Sequence, residues 1–187
     1  MLKVIRLLAT CAIAAVLMSA IASAQTYTTV DYPGAATTTL NGGPNPQGTS
    51  VGSFTDAAGV THGFTLDRHG VFTAFDPPGA TATTPNYITP QGTIVGGYLD
   101  ASGVSHGFVL SGGNYTTIDF PGAAGSQLTG LNPSGEYTGF TCSDPGCTSS
   151  LQSFTLSKQG VFTTFNPPGA ATSQASTINP SGAIVGA

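Results

Sequence analysis

TIVGGYLDASGVSHGFVL, residues 93–110, holds two short runs rich in β-branched, aromatic and glycine residues on either side of Asp100-Ala101-Ser102-Gly103. Such runs read as strands, and the Asp-x-x-Gly segment between them reads as a hairpin connection. Gly96 and Gly97 inside the first run signal a bulge or a close approach of backbone. The same arrangement occurs earlier, where Asp56-Ala57-Ala58-Gly59 leads into His62-Gly63-Phe64.

Flanking segments recur with it. Before each such run stands a turn: NPQG (45–48), TPQG (89–92), NPSG (132–135) and NPSG (179–182). Four residues beyond each turn glycine comes another glycine, at Gly52, Gly96, Gly139 and Gly186. The third landmark is THGFTL (61–66), SHGFVL (105–110) and LQSFTL (151–156), and the fourth is YTTVDYPGA (27–35), VFTAFDPPGA (71–80), NYTTIDFPGA (114–123) and VFTTFNPPGA (161–170). The turn glycines are 44, 43 and 47 residues apart, and all landmarks keep one order, so the chain is a tandem repeat. Read from the aromatic strand, the units run about 27–70, 71–113, 114–160 and an incomplete 161–187, within one β-repeat domain over 25–187.

Pro-Gly after an aromatic run stops a strand, because proline donates no ladder bond and glycine accepts positive φ at position i+2 of a type II turn. In Asn-Pro-Ser-Gly the side chain of Asn132 or Asn179 can bond the turn's own backbone. Each unit thus has three clear strands and a weaker one before the Asn-Pro turn, and no stretch of the mature chain shows a helical stripe. The predicted fold is all-β: tandem antiparallel sheet repeats, β-propeller-like blades in an incomplete or partial ring, with a β-solenoid or another all-β repeat as the alternative. One sheet with so few large side chains cannot bury its own faces, so Phe64, Phe108 and Phe154, with Phe54 and Tyr98, are the expected packing layer between units. The fourth unit stops before its third strand, so the expectation is either a piece of a longer array or self-association, with a partner copy covering the open repeat end, because exposed strand edges are liabilities.

These landmarks resemble the extracellular HAF-repeat family, whose unit carries an Asp-x-Pro-Gly strand end, an Asn-x-x-Gly turn, a Val-Gly-x-Tyr strand and a His-[Ala/Gly]-Phe segment. The matching residues are Asp31, Pro33 and Gly34; Asp119, Pro121 and Gly122; Val95, Gly96 and Tyr98; His62-Gly63-Phe64 and His106-Gly107-Phe108. Gln152-Ser153-Phe154, Asn166 and Thr89 depart from the pattern. The resemblance implies bacterial export and a repeated β architecture, and it implies no activity.

The first residues point the same way. Lys3 and Arg6 precede an apolar Leu7–Ile21 stretch and an Ala22-Ser23-Ala24 site, the pattern of a signal peptide over 1–24 cleaved before Gln25. A retained membrane anchor and lipidation at Cys11 are the weaker alternatives; the expected location is secreted, periplasmic or cell-surface, with no membrane span after processing. The mature chain keeps Arg68 and Lys158 against eight acidic residues, a net charge of −6. Nucleic acid is therefore not an expected partner, since no basic patch exists to displace its counterions.

Candidate chemistry is sparse. His62 and His106 hold equivalent places, but Gln152 takes the third, too few imidazoles for a zinc site without other ligands. Asp31, Asp76 and Asp119 precede turn prolines, where accepting backbone N–H bonds explains them without calcium or acid–base work. Cys142 and Cys147 flank Ser143-Asp144-Pro145-Gly146 in a local insertion, which in an oxidising compartment predicts a disulfide. No catalytic residue, metal site or cofactor is assigned, and His62, His106, Tyr98 and Phe120 are the residues set aside for binding a glycan or protein ligand. The expected function is an exported structural or interaction repeat protein, not an enzyme. A glycan- or small-ligand-binding propeller is the alternative, with solvent-facing Tyr32, Tyr87, Tyr98 and Phe120 on one face, and an extracellular hydrolase is third.

Overall fold

The computed structural model describes residues 28–187, so the signal-peptide reading lies outside the described residues. Among the described residues fourteen strands follow one another, all but one of their pairings antiparallel. The first group is β1 (Thr37–Gly42), β2 (Ser50–Thr55), β3 (Thr61–Leu66) and β4 (Phe72–Phe75). The second is β5 (Ala82–Ile88), β6 (Ile94–Leu99), β7 (Ser105–Ser111) and β8 (Asn114–Ile118). The third is β9 (Gly125–Leu131), β10 (Tyr137–Cys142), β11 (Gln152–Leu156) and β12 (Phe162–Phe165), and β13 (Ala175–Ile178) pairs β14 (Ile184–Gly186) in the fourth. Each group is a sheet of its own, first to fourth in chain order, and a single parallel bridge, Thr61 with Ala82, links the first two edge to edge into an eight-stranded mixed sheet. Among the described residues no helix is long and apolar enough to cross a membrane.

The sheets and the sequence units differ in phase. Phe72–Phe75, which opens a sequence unit, is the fourth strand of the first sheet, and Asn114–Ile118 and Phe162–Phe165 close the second and third. The turns form as their residues dictate. In Pro77-Pro78-Gly79-Ala80 the Ala80 N–H donates to Pro77 O (3.1 Å) with Gly79 at φ 80°, the type II geometry. Asn132 accepts from the N–H groups of Ser134 and Glu136 on Oδ1, both at 3.0 Å, and Thr89 replaces it by accepting from Thr93 N–H on Oγ1 (3.0 Å).

The glycine of the second strand has a specific cause. Directly opposite it, the first strand carries an irregularity, between Leu40 and Gly42 and between Pro85 and Tyr87 in the first two sheets, and beside Gly139 in the third. The bulged strand presses a carbonyl, of Thr39, Thr84 or Gln127, into the space where a Cβ on Gly52, Gly96 or Gly139 would stand. On the other side the glycine pairs with the phenylalanine of the third strand: Gly52 with Phe64, Gly96 with Phe108, Gly139 with Phe154. All three rings are fully buried (0% exposed).

Successive sheets then stack. β2 lies against β5, β6 against β9 and β10 against β13. Phe108 joins Val51, Ile88 and Ile94 in one buried cluster, and Phe154 joins Val95, Val109, Leu128 and Leu156 in the next. Gly63 and Gly107 face the following sheet, where a Cβ would meet Thr83 Cγ2 at 3.0 Å and Leu128 Cγ at 3.1 Å. Asparagines tie the first strands together: Asn41 Nδ2 donates to Pro85 O (2.9 Å) and Asn86 Nδ2 to Leu128 O (2.8 Å).

Two glycine substitutions separate packing from backbone strain. Gly96→Val drives a side chain into the Thr84 carbonyl and the Phe108 ring, and urea unfolding should show a loss of about 3 kcal/mol. Gly103→Ala, at φ 77° with nothing within 4 Å, should cost only ~1–2 kcal/mol.

Candidate functional site

The polar residues singled out in the sequence meet at one end of the sheets. The hairpin after the second strand begins with Asp56 or Asp100, the third strand contributes His62 or His106, and the fourth strand ends at Asp76 or Asp119. In the first sheet His62 Nδ1 lies 2.7 Å from Asp76 Oδ2 and Nε2 lies 3.4 Å from Asp56 Oδ2. In the second, His106 Nδ1 is 2.8 Å from Asp119 Oδ2 and Nε2 is 3.5 Å from Asp100 Oδ2. A carboxylate at each ring nitrogen suits the doubly protonated imidazolium, which donates from both; a neutral ring can donate from only one.

Further contacts fix these groups. Asp56 Oδ1 accepts from Ala58 and Val60 N–H, and Asp100 Oδ1 from Ser102 and Val104 N–H. Asp119 Oδ1 accepts from Gly107 N–H (3.3 Å). Each histidine also packs on the aromatic residue that pairs with it across the strands: His62 on Phe54 and His106 on Tyr98, with centroids 5.1 Å apart in both cases. Ring faces carry negative potential, which favours the charged imidazole. Asp76 and Asp119 thus use Oδ2 to anchor a histidine of the neighbouring strand, a role that the turn reading of these aspartates did not include.

The third sheet replaces the whole constellation. Thr141 stands where Phe54 and Tyr98 do, Ser143 replaces the hairpin aspartate, Gln152 the histidine and Asn166 the strand-end aspartate. Here the connection is longer and covalently closed by the Cys142–Cys147 disulfide (Cα–Cα 5.0 Å). Inside it Asp144 accepts from the N–H and hydroxyl groups of Thr148 and Ser149, and these bonds, led by the Thr148 N–H, hold its pKa down at about 2. The loop also reaches the second sheet, where Ser105 N–H donates to Pro145 O (2.7 Å). A charged clamp in two sheets is thereby exchanged for a cross-linked hairpin in the third.

The remaining candidates are dispersed. Tyr98 Oη is 3.1 Å from Thr117 Oγ1 beside the clamp, and Phe120 packs on Phe154 and Phe162 at 5.5 and 5.2 Å. Tyr32 stacks on Phe54 (3.6 Å), whereas Tyr87 lines a groove at the Asn-Pro turns, near the opposite strand ends. These four aromatics do not form one solvent-facing cluster. Among the described residues no group of three or more His, Cys, Asp or Glu is placed to hold a metal ion. No protein-family model matches the chain, and no curated protein matches it significantly.

The clamps make stability depend on pH with a definite sign. The Asp76 hydrogen bond, reinforced by Asp56, raises His62 above 6.5 despite burial. Burial pulls His106 down, but the bonds and charges of Asp119 and Asp100 outweigh it, and its pKa too is raised above 6.5. A raised folded pKa contributes stability that is complete below the unfolded value and lost as pH rises through the folded value. The urea midpoint should therefore fall as pH is taken upward from 6.5. A His62→Gln, His106→Gln double variant, copying the third sheet, should be less stable at pH 6.5 and nearly flat over the same window.

Proposed function

We propose that this chain is an exported, propeller-like repeat protein of the HAF-repeat type, acting outside the cytoplasm as a structural or interaction module and not as an enzyme. The observation that carries the reading is a shared opening. A cavity of about 340 Å³ is lined by Leu40 and Asn41 of β1, Asn86 of β5, Thr129 of β9, and Gln174 with Ser176 at β13. In a straight stack, sheets lie ~10 Å apart, which would separate the first from the fourth by ~30 Å. Residues of both bordering one small cavity favours blades arranged about an axis over a linear solenoid.

The polar chemistry supports the non-catalytic part. Asp56, Asp76, Asp100 and Asp119 are each engaged by a histidine, Asp56, Asp100 and Asp119 also by backbone N–H groups, and the histidine–carboxylate arrangement repeats from the first sheet to the second. Catalytic groups more often break such symmetry. The acidic surface fits neither nucleic acid nor an anionic membrane.

Expression of the full chain in a bacterium tests the reading. The soluble product should begin at Gln25, appear in the periplasm or medium, and scatter X-rays as a compact disc. A leader retained on cytoplasmic protein, or an elongated rod-like profile, would overturn it.

A second reading, glycan binding, has one observation of its own. A groove of about 340 Å³ between sheets is lined by Tyr87 and Tyr137 together with Pro90, Pro133 and Pro180. Aromatic faces beside a cleft are suited to sugar rings, and burial already raises the Tyr137 hydroxyl pKa. On a glycan array the protein should then show retained binding that Tyr87→Ala removes; a blank array would leave the structural role standing alone.

A further inference from the structure

The third sheet keeps one half of an aromatic stack and lacks the other. In the first sheet Tyr32 lies flat on Phe54, with ring centroids 3.6 Å apart and planes 3° from parallel, and His62 in turn packs on Phe54 at 5.1 Å. Tyr32 stands before Pro33-Gly34, and Phe120 holds the same place before Pro121-Gly122. The two rings are set alike. Tyr32 meets Phe64 at 5.8 Å and 48° and Phe72 at 5.2 Å and 68°; Phe120 meets the equivalent Phe154 at 5.5 Å and 52° and Phe162 at 5.2 Å and 72°. The stacking partner differs: Thr141 stands where Phe54 does, paired across the strands with Gln152 as Phe54 is with His62.

An open cleft lies at that place. Its volume is about 430 Å³, and Phe120, Thr141, Ser143, Ser150 and Gln152 border it. Small-molecule sites commonly fall in the range of ~300–1,000 Å³. One wall is the aromatic Phe120; the others carry hydroxyls that donate and accept and an amide that does both. Neighbouring polar groups are engaged elsewhere: Asn166 Oδ1 accepts from the Ser173 hydroxyl (2.7 Å), and Asp144 accepts from Thr148 and Ser149 within its own loop. Among the described residues no charged side chain borders the cleft. The wall at Cys142 and Ser143 is held in place by the Cys142–Cys147 disulfide and by the bond from Ser105 N–H to Pro145 O (2.7 Å), so the cleft is shaped before a ligand arrives.

We propose that this cleft binds a neutral hexopyranose, with a C–H face of the sugar on the Phe120 ring and its hydroxyls bonded to Thr141, Ser143 and Gln152. The ring slot that Phe54 fills in the first sheet is kept open in the third for a ring from outside. A wholly apolar guest would strip water from the hydroxyls and the amide and give no hydrogen bond in return, and a charged sugar would find no opposite charge. A pyranose, apolar on its face and hydroxylated at its rim, satisfies both walls. This adds a ligand to the interaction role proposed above, at a place separate from the groove at Tyr87, and it does not rest on that groove.

Saturation-transfer NMR tests this on the full chain with the methyl α- and β-glycosides of glucose, galactose, mannose and N-acetylglucosamine, and with phenol as the apolar ring. At least one glycoside should show saturable binding, with transfer strongest to the C–H protons of one ring face. Thr141→Phe, which restores the ring of the first sheet, should abolish that binding with the far-UV circular dichroism of the β-sheet unchanged. Gln152→Ala should weaken it about fivefold or more through the lost hydrogen bonds. Tyr87→Ala should leave it as it was. The proposal is overturned if no glycoside binds, if phenol alone binds, or if a folded Thr141→Phe protein binds as tightly as the parent; should that variant not fold, equal binding by Gln152→Ala overturns it. Binding that Tyr87→Ala removes and Thr141→Phe spares overturns this site and leaves the groove reading standing.

Discussion

The contact between a bulged first strand, a glycine of the second strand and a phenylalanine of the third holds the architecture together. A four-stranded sheet of this composition has few large apolar residues, and the fully buried rings Phe64, Phe108 and Phe154 are the largest of them. A side chain at Gly52, Gly96 or Gly139 would meet a carbonyl on one side and a ring on the other. The glycine therefore lets the ring lie flat on the sheet, and the flat ring lets the previous sheet approach. Phe108 reaches Val51, and Phe154 reaches Val95 and Val109, across the junctions this approach creates.

Around that core the polar residues hold turns in place. Asparagine, threonine and aspartate side chains accept N–H bonds at the hairpins, and His62 and His106 bridge two connections at the same end of a sheet. The third sheet dispenses with the bridge and substitutes a disulfide-closed loop. Its four replacements, Thr141, Ser143, Gln152 and Asn166, remove charge and aromatic support together. A lone aspartate left there would face no cation, and a lone histidine no carboxylate, so the set changes as one.

Much of this was legible in the residues. The repeat, the all-β class, the turns at Pro-Gly and Asn-Pro, and the Cys142–Cys147 bond all follow from local pattern. The clamp was not, although every member of it had been noticed. Sequence units began at the aromatic strand, whereas sheets end with it. That frame assigned Gln152 to one unit and Asn166 to the next, hiding that they belong to one sheet. The coordinated departure of both from the repeat pattern was the signal available.

What the sequence by itself determined is the local geometry: where strands stop, which glycine must bear no side chain, and which phenylalanine recurs, because these follow from backbone stereochemistry and spacing along the chain. Only the tertiary structure decided which residues from separate strands come together. Asp56 finds Asp76 through His62, and β1 and β13 border one cavity. The physical reason is that strand order and sheet stacking are set by non-local pairing and burial, which a repeat period constrains but does not phase.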